Sequence, residues 1–423
     1  MGNKLIDKIQ FLEKQDNKSV LLLFYLPAGN PKIRVNHIIN NVLKLTEKKT
    51  GSQLKRVFRR FNQRHKNMEA VFLDYFQRIQ KFIDKETAKN ISHDKKVLIG
   101  ACFSKEYSYK STAFCNPSLT LHPDQNNISP GETRIIVSFR AIGEEHISCC
   151  AFSEGIIDKN NNIALIEDSQ YKVIPEVNSM NKRDYQISFS KEAKVCERVI
   201  YPVADNEQHG IEDLRWTRFS NGKERALYYG TYTAYDGIHI TPKMFSTSDF
   251  RSFKSNPLIG RTAKNKNMAL FPRKIKGRYA MIARTDGIHM DIMYSDNPFE
   301  WDNPVQKIND RFQPWEFVQG GSNGVPMETK YGWLVITHGV GPVREYALGI
   351  KLLDLDNPSK VIARLKKPLL VPTEKERNGY VPNVLYSCGG LIHNNNLILP
   401  YAYSDLGTKY AVIDLKQLIA ALR

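Results

Sequence analysis

The segment His209-Gly-Ile-Glu-Asp-Leu-Arg-Trp216 sets an Asp beside a Glu and two residues before an Arg, behind a glycine, at the start of a strand-like run. A carboxyl at the rim of a sheet with a cation nearby is a common way to protonate a leaving group, so Asp213 is a candidate general acid. Strand alternation would send the Glu212 side chain to the other face, which marks it as structural. Further along, Lys264-Asn-Lys-Asn267 puts cations and amides directly before an apolar run, and Arg284 ends another strand-like stretch. Gly320-Gly-Ser-Asn-Gly324 leads to Glu328, and His338 closes the run 333–337. Each residue also has a plain structural reading: a turn carboxylate for Asp213, strand-end ion pairs for Lys266 and Arg284, a hydrogen-bonded core histidine for His338, a solvated turn for Glu328.

Residues so far apart in sequence need a scaffold that brings them together. After about residue 98 the chain is made of short runs rich in Val, Ile, Tyr and Phe, divided by Gly, Asn, Asp and Pro, as in an all-β architecture. Met244–Phe250, Ile292–Pro298 and Lys351–Pro358 each end a strand with an Asp-bearing turn, and the recurrence suits four-stranded propeller blades. The expected fold is therefore mainly β, a five-bladed β-propeller (98–423) preceded by an N-terminal α-helical extension (1–97). Within the extension, apolar residues fall at helical spacing over 34–90, with Gly51-Ser52 separating the first two helices and Asn67 capping a third. The polar stretch 158–194 reads as a long loop or lid.

The net charge of +17 brings nucleic acid or an anionic surface into consideration. Residues 1–100 hold 21 Lys/Arg against 9 Asp/Glu, which is +12 and leaves +5 for the rest. That excess reads first as a solvated basic helical face. Aromatics along those helices fall on the apolar stripes, which argues against nucleic acid. Six cysteines without a CxxC pair make neither a disulfide framework nor a zinc site, and no metal motif or nucleotide-binding glycine pattern occurs. The run Val20–Leu26 is too short to cross a bilayer and the N-terminus lacks a signal peptide's layout, so a cytoplasmic protein is expected.

The segments Gly210–Arg215, Ala269–Pro272 with Gly277–Tyr279, Gly332–Gly339, Leu348–Pro358, Tyr380–Asn383 and Tyr401–Asp405 together resemble glycoside hydrolase family 130, whose members act on β-mannosides, many by phosphorolysis. The resemblance runs collinearly over 205–410 and implies a five-bladed propeller. It implies Asp213 as the acid, acting through a hydroxyl of the bound mannose, with Arg215 orienting that carboxylate or the sugar. Arg140, Asn267, Asn383 and Asp405 would bind substrate, and Tyr401, Tyr403 and Trp315 are candidate stacking rings. The anion site would comprise Lys266, where the family has Arg, together with Arg284 and His338. Glu328 stands where the family has Lys; a carboxylate there would repel phosphate and instead activate water for hydrolysis.

The expected function is inverting cleavage of β-1,2- or β-1,4-linked manno-oligosaccharides, by phosphorolysis or hydrolysis. Inorganic phosphate would be the co-substrate of the first, and no cofactor is implied. The competing reading is a non-catalytic propeller whose basic extension docks on nucleic acid or an acidic partner. Self-association into a homo-oligomer is left open by the sequence.

Overall fold

The computed structural model describes residues 5–166, 169–181, 183–220, 226–308 and 312–422. The chain is mainly β and divides into two compact units: Asn17–Ser108 with Ser169–Val173, and the remainder, which includes Met1–Asp16. The division differs from a boundary at 97/98, which would fall inside the helix His93–Cys102.

The smaller unit holds five α-helices, Pro31–Leu43, Glu47–Phe61, Met68–Ile79, Lys85–Asn90 and His93–Cys102, with a two-stranded sheet of Val20–Phe24 and Ser104–Ser108. Val35, Ile39, Leu54, Phe72, Phe76, Val97 and Ile99 form its core. Side chains of Asn30, Thr46, Asp84 and Ser92 cap four of the helices by accepting from backbone N–H groups three residues on. Two expectations change. Gly51 and Ser52 lie inside the second helix, the break falling at Lys44–Thr46, where Thr46 supplies the cap. Asn67 precedes the third helix in a left-handed conformation, without a side-chain cap bond.

The larger unit contains five groups of antiparallel strands. The first is Ala113–Leu121, Thr133–Ile142 and Ser148–Ile157, with two short strands on its edge. The second runs Gly210–Phe219, Leu227–Tyr235, Ile240–Thr247 and Ser252–Pro257, then Tyr185–Ser188 and Glu176–Met180. A single parallel bridge, Gly210 to Ser148, joins these two groups. Gly210 has φ +132°, and a Cβ there would come within 2.7 Å of the Ser148 nitrogen, so the junction requires glycine. The third group is Ala269–Leu270, Tyr279–Ala283, Asp291–Ser295 and Gln306–Lys307. In the fourth, Gln319–Ser322 and Met327–Thr329 both pair with Gly332–Val340, followed by Tyr346–Leu353 and Val361–Arg364.

The fifth group places Leu385–Tyr386 and Leu391–His393 on Asn396–Tyr403, then Gly407–Asp414, and is completed by Lys8–Lys14 from the far end of the chain. The first residues therefore form a strand, not helix. The stretch 158–194 is likewise partly strand: Tyr185–Ser188 and Glu176–Met180 extend the second group.

Successive groups pack face to face. Phe152 meets Trp216 and Phe253 between the first and second. Phe219 and Met244 meet Leu270 and Met281 between the second and third. Phe271 and Ile282 meet Trp333 and Val335 between the third and fourth, and Leu334 and Ile350 meet Leu397 and Ile413 between the fourth and fifth. Each fully buried side chain of this size contributes about 1.5–3 kcal/mol. The adjacent Cys149 and Cys150 are both buried, so neither is a surface thiol. Among the described residues, no helix is long and apolar enough to cross a membrane.

Candidate active site

The first strand of every group, or a residue just before it, supplies a polar side chain to one of two hydrogen-bonded sets, Asn116 with Asp213 and Arg215 with Asn267, Ser322 and Tyr386. Asn116 comes from the first, Asp213 and Arg215 from the second, Asn267 from just before the third, Ser322 from the fourth and Tyr386 from the fifth. Asn116 Nδ2 donates to Asp213 Oδ1 at 2.6 Å. Arg215 Nη1 donates to Ser322 through its carbonyl (2.9 Å) and Oγ (3.0 Å), while Nη2 donates to the Tyr386 hydroxyl at 2.9 Å. Asn267 Nδ2 reaches the same hydroxyl at 2.5 Å. Burial pushes the Tyr386 phenol up, against the pull of Arg215, so it stays protonated.

Asp213 sits on a bulge. The register between the second group's first two strands shifts between Glu212 and Arg215, and Asp213 has φ +56°. This overturns the alternation argument for Glu212. With the bulge, both carboxylates face Arg140: Nη2 bonds Glu212 Oε1 at 2.8 Å and Nη1 lies 3.9 Å from Asp213 Oδ1. Burial opposes the Arg140 charge, but Glu212 and Asp213 outweigh it and hold the guanidinium ionised. Lys266 Nζ binds the other oxygen of Glu212 at 2.5 Å. Lys266 is thus tied to Glu212, next to Asp213, and is not a free cation for phosphate. Arg215 makes no hydrogen bond to Asp213; its hydrogen bonds run to Ser322 and Tyr386, which leaves the other expected role, orienting the sugar. A small cleft opens here, lined by Asp213, Arg215, Lys266 and Asn267 together with Thr231 and Tyr232.

His338 is buried on the fourth group. Its Nδ1 is paired with Asn323 Oδ1, its ring stacks on Tyr346 with centroids 5.7 Å apart, and a Cβ on Gly321 would approach the ring to 2.6 Å. Burial, reinforced by Arg284, Arg215 and Lys351, holds this imidazole well below its usual value, so it is neutral at pH 7. Burial also lowers Arg284, whose Nε and Nη1 are enclosed without a hydrogen-bond partner. A buried guanidinium with open donors, beside a second Arg and a neutral histidine, is chemically suited to an anion.

Glu328 is not brought to this cluster. It pairs across the sheet with Trp333, five residues from His338 along one strand, or about 17 Å at 3.3 Å per residue. Its carboxylate takes a bidentate bond from Arg273 (2.7 and 2.8 Å), which lowers its pKa. The role of base or phosphate-repelling group expected for it is withdrawn on that geometry. Asp405 lies in a strained turn with Ser404 (φ +55° and +46°), and burial raises its carboxyl against Arg140. Asn383 Oδ1 is occupied by Arg377 Nε at 2.8 Å. Tyr401 is buried on Glu376 and so is no open stacking ring, whereas Trp315 and Tyr403 are half-buried, Trp315 packing where Gly339 and Gly349 leave room and Tyr403 lying under Lys409.

Three buried pairs brace the segments that carry this site. In Asp205–Glu207, Pro314–Glu316 and Glu374–Glu376, a 3-10 turn ends in a buried Glu whose carboxylate accepts the backbone N–H three residues earlier. Each Glu meets a Lys from its group's later strand: Lys243 (2.8 Å), Lys351 (3.4 Å) and Lys409 (2.6 Å). The turns lead directly into Gly210–Asp213, Gln319–Asn323 and Asn383. Sequence reasoning missed these pairs, along with Ser322, Asn323 and Tyr386. Their signal was present, as single lysines in otherwise apolar strands.

Comparison with known proteins decides the family. The glycoside hydrolase 130 family model, described as beta-1,4-mannooligosaccharide phosphorylase, matches residues 175–423. The chain belongs to glycoside hydrolase family 130. It is 31% identical over 241 residues to a 1,2-beta-oligomannan phosphorylase of Thermoanaerobacter sp. (strain X514), covering 54% of this chain and 78% of that protein. A beta-1,2-mannobiose phosphorylase of the same organism is 34% identical over 212 residues, covering 49% and 68%. The solved beta-1,2-mannobiose phosphorylase of Listeria innocua, in complex with beta-1,2-mannobiose, shares the fold with a TM-score of 0.55 at 18% identity, covering 75% of this chain and 93% of that one. As a family 130 member the chain is an enzyme of the glycoside phosphorylase or glycosidase type.

Proposed function

We propose that this enzyme cleaves β-linked manno-oligosaccharides by phosphorolysis with inversion at the anomeric carbon. The observation that carries the reading is the enclosed Arg284 head group, with Nε and Nη1 unpartnered beside Arg215 and the neutral His338. The five strand groups are blades of a propeller whose first strands line a central axis; the support is that Arg215 of the second group bonds Ser322 of the fourth and Tyr386 of the fifth, Asn267 beside the third reaches Tyr386, and Asn116 of the first bonds Asp213. Inorganic phosphate sits against Arg284 and His338 and attacks C1. The C1–O glycosidic bond breaks, its electron pair stays on the leaving oxygen, and a proton originating on Asp213 passes to that oxygen by way of a mannose hydroxyl. The products are α-mannose 1-phosphate and a saccharide shortened by one residue. Asn116 and Arg140 fix the Asp213 carboxyl, while Glu212 balances the charges of Arg140 and Lys266. Asn383 and Asp405 meet sugar hydroxyls.

Glu328 lies down the strand from His338 and is bound by Arg273, so it supplies no base for hydrolysis. Incubation with β-1,2- and β-1,4-mannobiose, with and without phosphate, tests the proposal. Mannose 1-phosphate formed only with phosphate is expected; free mannose at equal rates in both conditions would refute phosphorolysis. Asp213→Asn should lower turnover by about 10²–10⁴-fold or more, the usual contribution of a positioned acid.

A further inference from the structure

Tyr401 is buried and Trp315 and Tyr403 are half-buried, so the sugar that leaves needs a more open surface. An exposed aromatic pair stands at the junction of the first and fifth groups. The His146 and Tyr380 rings stack with centroids 5.8 Å apart and planes at 17°, and the Tyr380 hydroxyl is 2.9 Å from His146 Nδ1. Tyr380 is 44% exposed although it is large and held in place. Two consecutive non-glycine residues in the left-handed region, Glu145 and His146 (both φ +57°), present the histidine.

Both partners adjoin the acid's side of the site. His146 lies in the turn that follows Arg140, the residue bonded to Glu212 and adjacent to Asp213. Tyr380 is pinned against the Ser404–Asp405 turn: Val381 N–H donates to Ser404 O at 3.1 Å, and Gly379 packs on Ser404. The anion-binding groups Arg284 and His338 belong instead to the third and fourth groups. Inverting displacement places nucleophile and leaving group on opposite faces of the reacting sugar. An anion held by the third and fourth groups therefore directs the departing saccharide toward the first and fifth.

We infer that His146 and Tyr380 form the subsite for the leaving-group pyranose, a neutral sugar whose apolar face lies on the Tyr380 ring. This rests on the phosphorolytic reading above. The reverse reaction separates the two sides of the site, because mannose 1-phosphate occupies the donor side and free mannose the acceptor side. In Tyr380→Ala the KM for mannose should rise about tenfold, the loss of roughly 1.4 kcal/mol of ring contact, while the KM for mannose 1-phosphate stays within about twofold. Tyr380→Phe keeps the ring and should restore the acceptor KM; His146→Ala should raise it.

Both KM values moving together, or neither moving, would overturn the subsite. A parallel measurement reads mannose binding to the same proteins by saturation-transfer NMR. If the unaltered enzyme gives no turnover yet shows a mannose signal that Tyr380→Ala abolishes, the phosphorolytic reading fails and the subsite stands. An equal signal in both proteins, or none in the unaltered one, overturns the subsite.

Discussion

Lys243→Met is a sharp test of how the site is braced. Both side chains of the Glu207–Lys243 pair are fully buried, and Glu207 also accepts from the hydroxyls of Tyr185 and Tyr232 and from the backbone of Val203 and Ala204. Removing the lysine leaves a buried carboxylate without its cation, which usually costs about 3–5 kcal/mol. The four remaining donors soften that loss, so about 3 kcal/mol is expected.

Urea denaturation at pH 7.5 reads it. Glu207→Gln combined with Lys243→Met should recover most of the loss. A deficit under about 1 kcal/mol, or no recovery in the double variant, would refute the claim that the pair is a buried charge couple.

Arg284→Met should raise the KM for phosphate far more than that for the mannoside, measured by steady-state kinetics; Arg284→Lys should recover only part, because an ammonium lacks the bidentate fork. His338 is held neutral in the fold, so the unfolded chain binds one more proton once pH falls below about 6.5, and stability should drop by up to about 1.4 kcal/mol per unit below that pH. His338→Gln should flatten that slope in urea titrations between pH 6.5 and 5. His65, lowered by burial against its bond to Glu106, has the same sign in the smaller unit, so His65→Gln should flatten its share. Glu328→Gln should leave turnover within about twofold and cost at most about 1 kcal/mol, as for an exposed ion pair; a large loss of activity would return Glu328 to the site.

The β character of residues after 98 was legible because strand texture and turn residues recur at regular intervals, and the candidate acid was legible because Gly-x-Glu-Asp-x-Arg breaks that texture. What stayed hidden depends on departures from the regular period. Alternation assigned Glu212 to the far face because a bulge cannot be seen in a single strand's pattern; only the pairing partner reveals that one residue has been inserted. Glu328 was misplaced for a related reason. A carboxylate in a loop leading toward His338 seems close in sequence, but the hairpin turns back at Gly332 and carries it down the strand by several residues. The strand Lys8–Lys14 was absorbed into a helical extension because its partner, Gly407–Asp414, lies at the other end of the chain.

Asn116, Asp213, Asn265, Asn267, Asn383, Ser404 and Asp405, seven of the eighteen described non-glycine residues with positive φ, lie on or beside the segments that carry the candidate site. Asn and Asp tolerate that region best, so each position alone reads as an ordinary turn. A residue in the left-handed region interrupts strand alternation and turns its side chain away from the regular face. Asp213 is the clearest case. Without the bulge, Glu212 and Asp213 would face opposite sides of the strand, and Arg140 could not serve both. The strain of that single residue is what allows one guanidinium to hold a neighbouring carboxylate by a direct bond while leaving the acid only a long contact, and so leaves Asp213 Oδ2 available to a substrate hydroxyl.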